Sequence, residues 1–141
     1  MALHLSKSRF CSAVQCPKML WLKQYKPEEF DDSVMNETVL NTGNEVGDLA
    51  MGLFGPFVEV PFGDLKDMIN TTKHLINDGE PIIAEASFAD GENFCSVDIL
   101  LNKGCGKVEL YEVKSSTELK DIYLYDVAYQ YYVLSSQGYD V

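Results

Sequence analysis

Three ionisable residues sit where strands ordinarily do not carry them. Asp98 lies within Ser96-Val-Asp98-Ile-Leu-Leu101, and Glu112 and Lys114 lie within Leu110-Tyr-Glu112-Val-Lys114. Central strand positions are depleted in Asp, Glu and Lys, yet each of these interrupts an apolar run. With Leu101 facing Lys107 across the turn at 102–106, Asp98 pairs opposite Leu110. Glu112 is then its diagonal neighbour on the same face, about 7–8 Å away. Lys114, two residues further on, shares that face. Two carboxylates this close repel unless a proton or a cation intervenes, and oxygen ligands suit Mg²⁺ or Mn²⁺. Such an ion polarises a phosphoryl oxygen and acidifies a bound water. Lys114 would position or help deprotonate that water, or offset the charge developing on the phosphate. The same residues also fit a plain Glu112–Lys114 ion pair on an exposed sheet face with Asp98 solvated. A one-residue slip in register would separate the two carboxylates.

These positions require a strand meander. Ile82–Phe88, Asn93–Leu101 and Lys107–Ser115 read as its three strands, with turns at Ala89-Asp-Gly-Glu92 and Asn102-Lys-Gly-Cys-Gly106. Upstream, Ser6 reads as the N-cap of a short helix from Lys7, and Pro17 opens a second helix to about Gln24. Residues 34–52 form a helix with an imperfect apolar stripe of Val34, Val39, Val46 and Leu49. Gly43 and Gly47 interrupt it at about 1 kcal/mol each, which points to a close approach by another element. Phe57–Pro61 suggests a short strand, and Leu65 to Ile76 a helix stopped at Asn77-Asp-Gly79. Leu119 to Ser135 closes the chain as a tyrosine-rich helix. The expected class is α/β, one domain over 1–141: N-terminal helices, then a central antiparallel three-strand meander flanked by helices. A strand is expected to begin at Tyr139. The chain therefore reads as an N-terminal fragment of a longer protein whose last strands are missing. An incomplete sheet of that kind offers an edge for a homodimer.

Composition bounds the partners. Of 141 residues, 46% are apolar and 23% charged, which excludes wholesale disorder. Neither a transmembrane run nor a signal peptide is visible, so no membrane and a cytoplasmic location are expected. The net charge of −11 disfavours a polyanion as partner. Its distribution weakens that inference and is compatible with a local polyanion contact. Residues 1–27 hold Lys7, Arg9, Lys18, Lys23 and Lys26 and no acid, so an arm of +5 precedes a body of −16. The arm also fits a merely solvated helix face. Cys11, Cys16, Cys95 and Cys105 form no CxxC pair, and His4 and His74 sit near no cysteine pair, so free thiols are expected rather than a zinc site. Glu85, within an apolar run of its own, would face either the same site as Asp98 or solvent, and solvent is the favoured reading. The tyrosines at 123, 125, 129, 131 and 132 read as core and interface packing residues rather than base-stacking ones.

Asp98, a 13-residue gap and Glu112-Val-Lys114 resemble the signature of the PD-(D/E)XK nuclease superfamily. Flanking segments resemble its RecB-like branch, close to uncharacterised bacterial proteins related to CRISPR-associated exonucleases. Leu5-Ser-Lys-Ser-Arg9 followed by Cys16-Pro-Lys18 is similar to the branch's N-terminal motif, and Gln130 in Ala128-Tyr-Gln-Tyr-Tyr132 to its helical glutamine motif. Gly43-Asn-Glu-Val-Gly47 falls where the branch carries G-x-x-x-H, with Gly47 in place of the metal-binding histidine. The resemblance implies a restriction-endonuclease-like core and a Mg²⁺- or Mn²⁺-dependent DNA nuclease, exonuclease-like, with a role in DNA repair. Asp98, Glu112 and the carbonyl of Val113 would be metal ligands, Lys114 the catalytic lysine, and Gln130 an orienting or DNA-contacting residue. Ser6, Lys7, Arg9 and Lys18 would lie near the DNA. The alternative is a catalytically inactive module of the same fold that binds nucleic acid or a protein. Some members hold an iron–sulfur cluster. Cys16 matches its first ligand by position, but 1–141 offers no counterpart of the other three, so no cluster is expected here.

Overall fold

Ser6 starts the first helix by accepting the N–H of Arg9 at 3.3 Å. Pro17 starts the second, where its missing N–H costs nothing. Asp64 caps a later helix through the N–H of Lys66 at 2.9 Å. The structure, a computed structural model, describes residues 5–29, 31 and 37–141. The elements are β1 (Leu5–Ser6), α1 (Lys7–Gln15), α2 (Pro17–Tyr25), α3 (Glu37–Met51), β2 (Val58–Glu59), α4 (Leu65–Asn77), β3 (Ile82–Asp90), β4 (Asn93–Gly104), β5 (Lys107–Tyr111) and α5 (Asp121–Ser136). The first three residues of the helix expected over 34–52 lie outside the described residues. The α/β class and the antiparallel meander β3-β4-β5 are as the sequence reading expects. Around that meander the sheet is mixed, with β2 parallel to β3 and β1 parallel to β4.

The β4–β5 hairpin is tighter than its sequence suggests. Its loop is the pair Cys105 and Gly106, both at positive φ (52° and 78°), as a primed two-residue turn requires. An irregularity between Asn102 and Gly104 takes up the remaining residues. Leu101 consequently faces Glu109 rather than Lys107, and Ile99 faces Tyr111. The register differs from the expected one by two residues, so the predicted face is kept. Strand β5 also stops at Tyr111 instead of Ser115.

One edge of β4 is shared end to end. Its first residues pair with β1, at Asn93 and Phe94, and its second half pairs with β5, from Ile99 to Gly104. Between them β4 has no partner strand on that edge among the described residues. Strands β1 and β5 point into this gap from opposite ends. The core lies around the sheet and α5: Ile83, Phe88, Val97, Leu100, Tyr129, Val133 and Leu134 belong to one buried cluster. Full burial of a side chain such as Leu134 contributes about 1.5–3 kcal/mol. The N-terminal arm is fastened to this core through Tyr129. Its hydroxyl donates to the carbonyl of Leu5, and its ring stacks on Phe10 at 4.7 Å and 19°. Past α5, Asp140 makes a single parallel bridge to Lys107, the place where a further strand is expected. Among the described residues no helix is long and apolar enough to cross a membrane.

Candidate active site

The gap in the β4 edge is where the ionisable residues meet. Continuing the β4–β5 register by one step past Ile99 and Tyr111 sets Glu112 beside Asp98. They are direct neighbours, not the diagonal pair the looser hairpin implied. The ladder ends here because Asp98 intercepts it: its Oδ2 accepts the N–H of Val113 at 2.7 Å. From the other end of the gap, β1 delivers Lys7, the first residue of α1. Helix α5 supplies Asp126 and Gln130, four residues apart and so on one face.

Glu112 is the hub, with a side chain only 5% exposed. Its Oε2 accepts from Lys7 Nζ at 2.8 Å and from Gln130 Nε2 at 2.7 Å, and its Oε1 accepts from Lys114 Nζ at 2.5 Å. Asp126, 8% exposed, accepts from Lys114 at 2.8 Å through Oδ2 and from Gln130 at 3.0 Å through Oδ1. The Lys7 ammonium also lies 3.8 Å from Asp98 Oδ1 and 3.7 Å from Asp126 Oδ1. Gln130 is wholly buried, and its Oε1 has no hydrogen-bond partner. The cluster opens into a cleft of about 420 Å³ whose walls include Gly47, Glu85, Asp98 and Val113.

The charges perturb one another. Burial works against the charge on Lys7, but the carboxylates of Glu112 and Asp98 outweigh it and raise its pKa. Lys114 follows the same pattern: burial opposes its charge, and its bonds to Asp126 and Glu112 carry the pKa well up, so the ammonium keeps its proton. Burial, then the charge of Glu112, pushes the Asp98 carboxyl up. Burial, then Asp98, does the same to Glu85. Asp126 runs the other way. Burial would raise it, but the bond from Lys114 and the charge of Lys7 hold it below the ordinary carboxylate value.

Asp98, Glu112, Val113, Lys114 and Gln130 thus come together. The other predicted contacts divide. Ser6 is engaged as the α1 cap, and Lys7 is inside the carboxylate cluster rather than on an open surface. Arg9 lines an apolar groove with Trp21 and Tyr25, and Lys18 lines another on α2, so neither borders the cleft. Glu85 is a correction. It is half-buried and borders the cleft, at the position opposite Asp98 where the β3–β4 ladder skips a pair, with φ at 55°. The glycines are another. A Cβ at Gly47 would meet nothing within 4 Å, and one at Gly43 only Ser115 Oγ at 3.8 Å, so no tight helix packing explains them. The tyrosines divide: Tyr129 is core, whereas Tyr125, Tyr131 and Tyr132 are exposed on α5. Asp126 is the functional residue the sequence reading missed. Its signal was the four-residue spacing to Gln130, which puts both on one helix face. All four cysteines are free, and burial pushes the Cys95 thiol up to about 12.

The donors suit a hard divalent cation. Asp98 and Glu112 present carboxylate oxygens to one point, and a lysine ammonium already stands there as a cation. Among the described residues no three His, Cys, Asp or Glu side chains make a preformed metal cage. No protein-family model, no curated protein and no solved structure matches this chain.

Proposed function

We propose that the domain hydrolyses DNA phosphodiester bonds with a divalent cation, as the catalytic part of a cytoplasmic PD-(D/E)XK-type nuclease with a restriction-endonuclease-like core. The observation that carries this reading is the convergence of Asp98, Glu112, Lys114 and Gln130 at the break in the β4 edge. A bound Mg²⁺ or Mn²⁺ would be held by Asp98, Glu112 and the Val113 carbonyl, and would supply a polarised phosphoryl oxygen and an acidified water. Lys114, bonded to Glu112 and Asp126, would offset the negative charge developing on the phosphate. Gln130 and Asp126 fix Glu112 and Lys114 from the helix side. Asp98 is held by the Val113 N–H, which leaves its Oδ1 toward the cleft.

The test is cleavage of single- and double-stranded DNA with Mn²⁺ by the wild type, Asp98→Ala and Lys114→Ala. Removing either group should lower the rate at least about 100-fold, the scale of one electrostatic or acid–base group. Equal rates in all three would assign the cleavage to another source. One observation favours a second reading, an inactive module that binds nucleic acid: Gly47 borders the cleft with open space where the resembling family has a histidine ligand. DNA binding with no Mn²⁺ uptake in calorimetry selects that reading.

A further inference from the structure

Lys7 occupies the point between Asp98 and Glu112 on which the nuclease reading centres. We propose that Lys7 is a resident placeholder: its ammonium holds the cation position in the resting protein and gives it up to the divalent ion. The inference rests on the reading of this cluster as a divalent-cation site.

Space argues for exchange rather than coexistence. The Lys7 ammonium lies 2.8 Å from Glu112 Oε2 and 3.8 Å from Asp98 Oδ1. A Mg²⁺ ligand sits about 2.0–2.1 Å from its metal, so an ion shared by these two oxygens needs the volume the ammonium fills. Like charges at that separation also repel.

The two lysines are not equivalent, and the difference says which one leaves. Lys114 has two close partners, Glu112 Oε1 at 2.5 Å and Asp126 Oδ2 at 2.8 Å. Lys7 has one, and its other two carboxylate contacts, at 3.7 and 3.8 Å, exceed hydrogen-bond length. Lys7 also has somewhere to go. Its flexible four-carbon stem borders a second, mostly apolar groove of about 320 Å³ between α1 and α5, whose walls also include Ser8, Gln15 and the carboxylate-bearing Asp126.

Charge fits the exchange. Glu85, Asp98, Glu112 and Asp126 bring four negative charges against the two positive charges of Lys7 and Lys114, which leaves two to be met. A divalent ion meets them if Lys7 swings aside and stays near. A monovalent ion offers no more than Lys7 already provides. The placeholder also lets Asp98 and Glu112 fold side by side before any metal arrives.

The experiment measures Mn²⁺ binding at one fixed pH, by the paramagnetic resonance signal of the free ion, for wild type, Lys7→Met, Lys7→Arg and Lys103→Met. Lys103 pairs with Glu109 on the distant hairpin and controls for the loss of one positive charge anywhere. Lys7→Met should bind Mn²⁺ about tenfold more tightly than wild type, and neither Lys7→Arg nor Lys103→Met should. Lys7→Met binding no more tightly than Lys103→Met overturns the placeholder while leaving the cation site standing. No Mn²⁺ uptake by wild type or Lys7→Met overturns both. A second measurement needs no variant: Mg²⁺ should increase acetylation of Lys7 in the wild type, followed by mass spectrometry. Unchanged labelling in a protein that binds Mg²⁺ counts against the exchange.

Discussion

Asp126 shows what a buried carboxylate does at the scale of one residue. Its carboxyl is held below the ordinary value by the Lys114 bond and the Lys7 charge, which overcome the effect of burial. The unfolded chain therefore binds that proton more readily than the folded one. The stabilisation is complete above the unfolded carboxylate pKa of about 3.9 and is lost as pH falls through the lower folded value. Asp98 and Glu85 oppose this, since their carboxyls are raised by burial and by neighbouring carboxylates, and protonating them favours the fold. Only the difference between wild type and Asp126→Asn isolates the effect. At pH 7 the substitution should cost about 1–2 kcal/mol, because it removes one of the two carboxylates that hold the Lys114 ammonium and leaves Glu112 as the other. The gap in Tm should close as pH falls below about 4, through the unfolded carboxylate pKa and then the lower folded one. A gap independent of pH would mean that Asp126 acts through packing alone. The sequence made Asp98, Glu112 and Lys114 legible because each broke an apolar strand pattern. Asp126 broke none. Helix α5 mixes polar and apolar residues all round, and its buried face shows only once Tyr129, Gln130 and Val133 are seen packed.

At the scale of elements, the site depends on how β1 and α1 are fastened. Strand β1 is two residues long and pairs with β4 only at Asn93 and Phe94. A ladder that short does not hold a helix by itself. Tyr129 reinforces it, donating to the Leu5 carbonyl, accepting the N–H of Phe94 at 3.3 Å and stacking on Phe10. Tyr129→Phe keeps the ring and removes the hydroxyl. It should cost about 1–2 kcal/mol, since the Leu5 carbonyl loses its donor. Amide exchange should quicken in residues 5–15 and stay slow in the β3–β4 ladder. Uniform acceleration across both would show that the arm and sheet open as one unit. Helix and strand identities were readable here from caps, prolines and periodicity. Register was not, because it depended on whether 102–106 made a wide loop or a two-residue turn. Two adjacent positive-φ residues decided that, and one of them is a cysteine, an uncommon choice for that conformation.

At the scale of the whole molecule, charge is divided between an arm of +5 and a body of −16. The structure divides the arm again. Lys7 is spent inside the cluster, while α2 has no buried residue and carries Lys18 and Lys23, with Lys26 at its C-cap. Lys23 also donates to Ser12 at 3.1 Å, which places its ammonium beside α1 and the groove that reaches the site. A polyanion repelled by the rest of the surface would meet positive charge on α2 and beside that groove. If three phosphates meet these lysines, log K for a short single strand should fall with log salt at a slope of about −2. Replacing all three lysines with Gln should bring the slope close to zero while Tm changes little, because none of them is buried. A steep slope that survives the triple substitution would move the polyanion to another surface. It would also remove the arm's part in the nuclease reading, since of its basic residues only Lys7, bound to Glu112, and Arg9, away from the cleft, would remain.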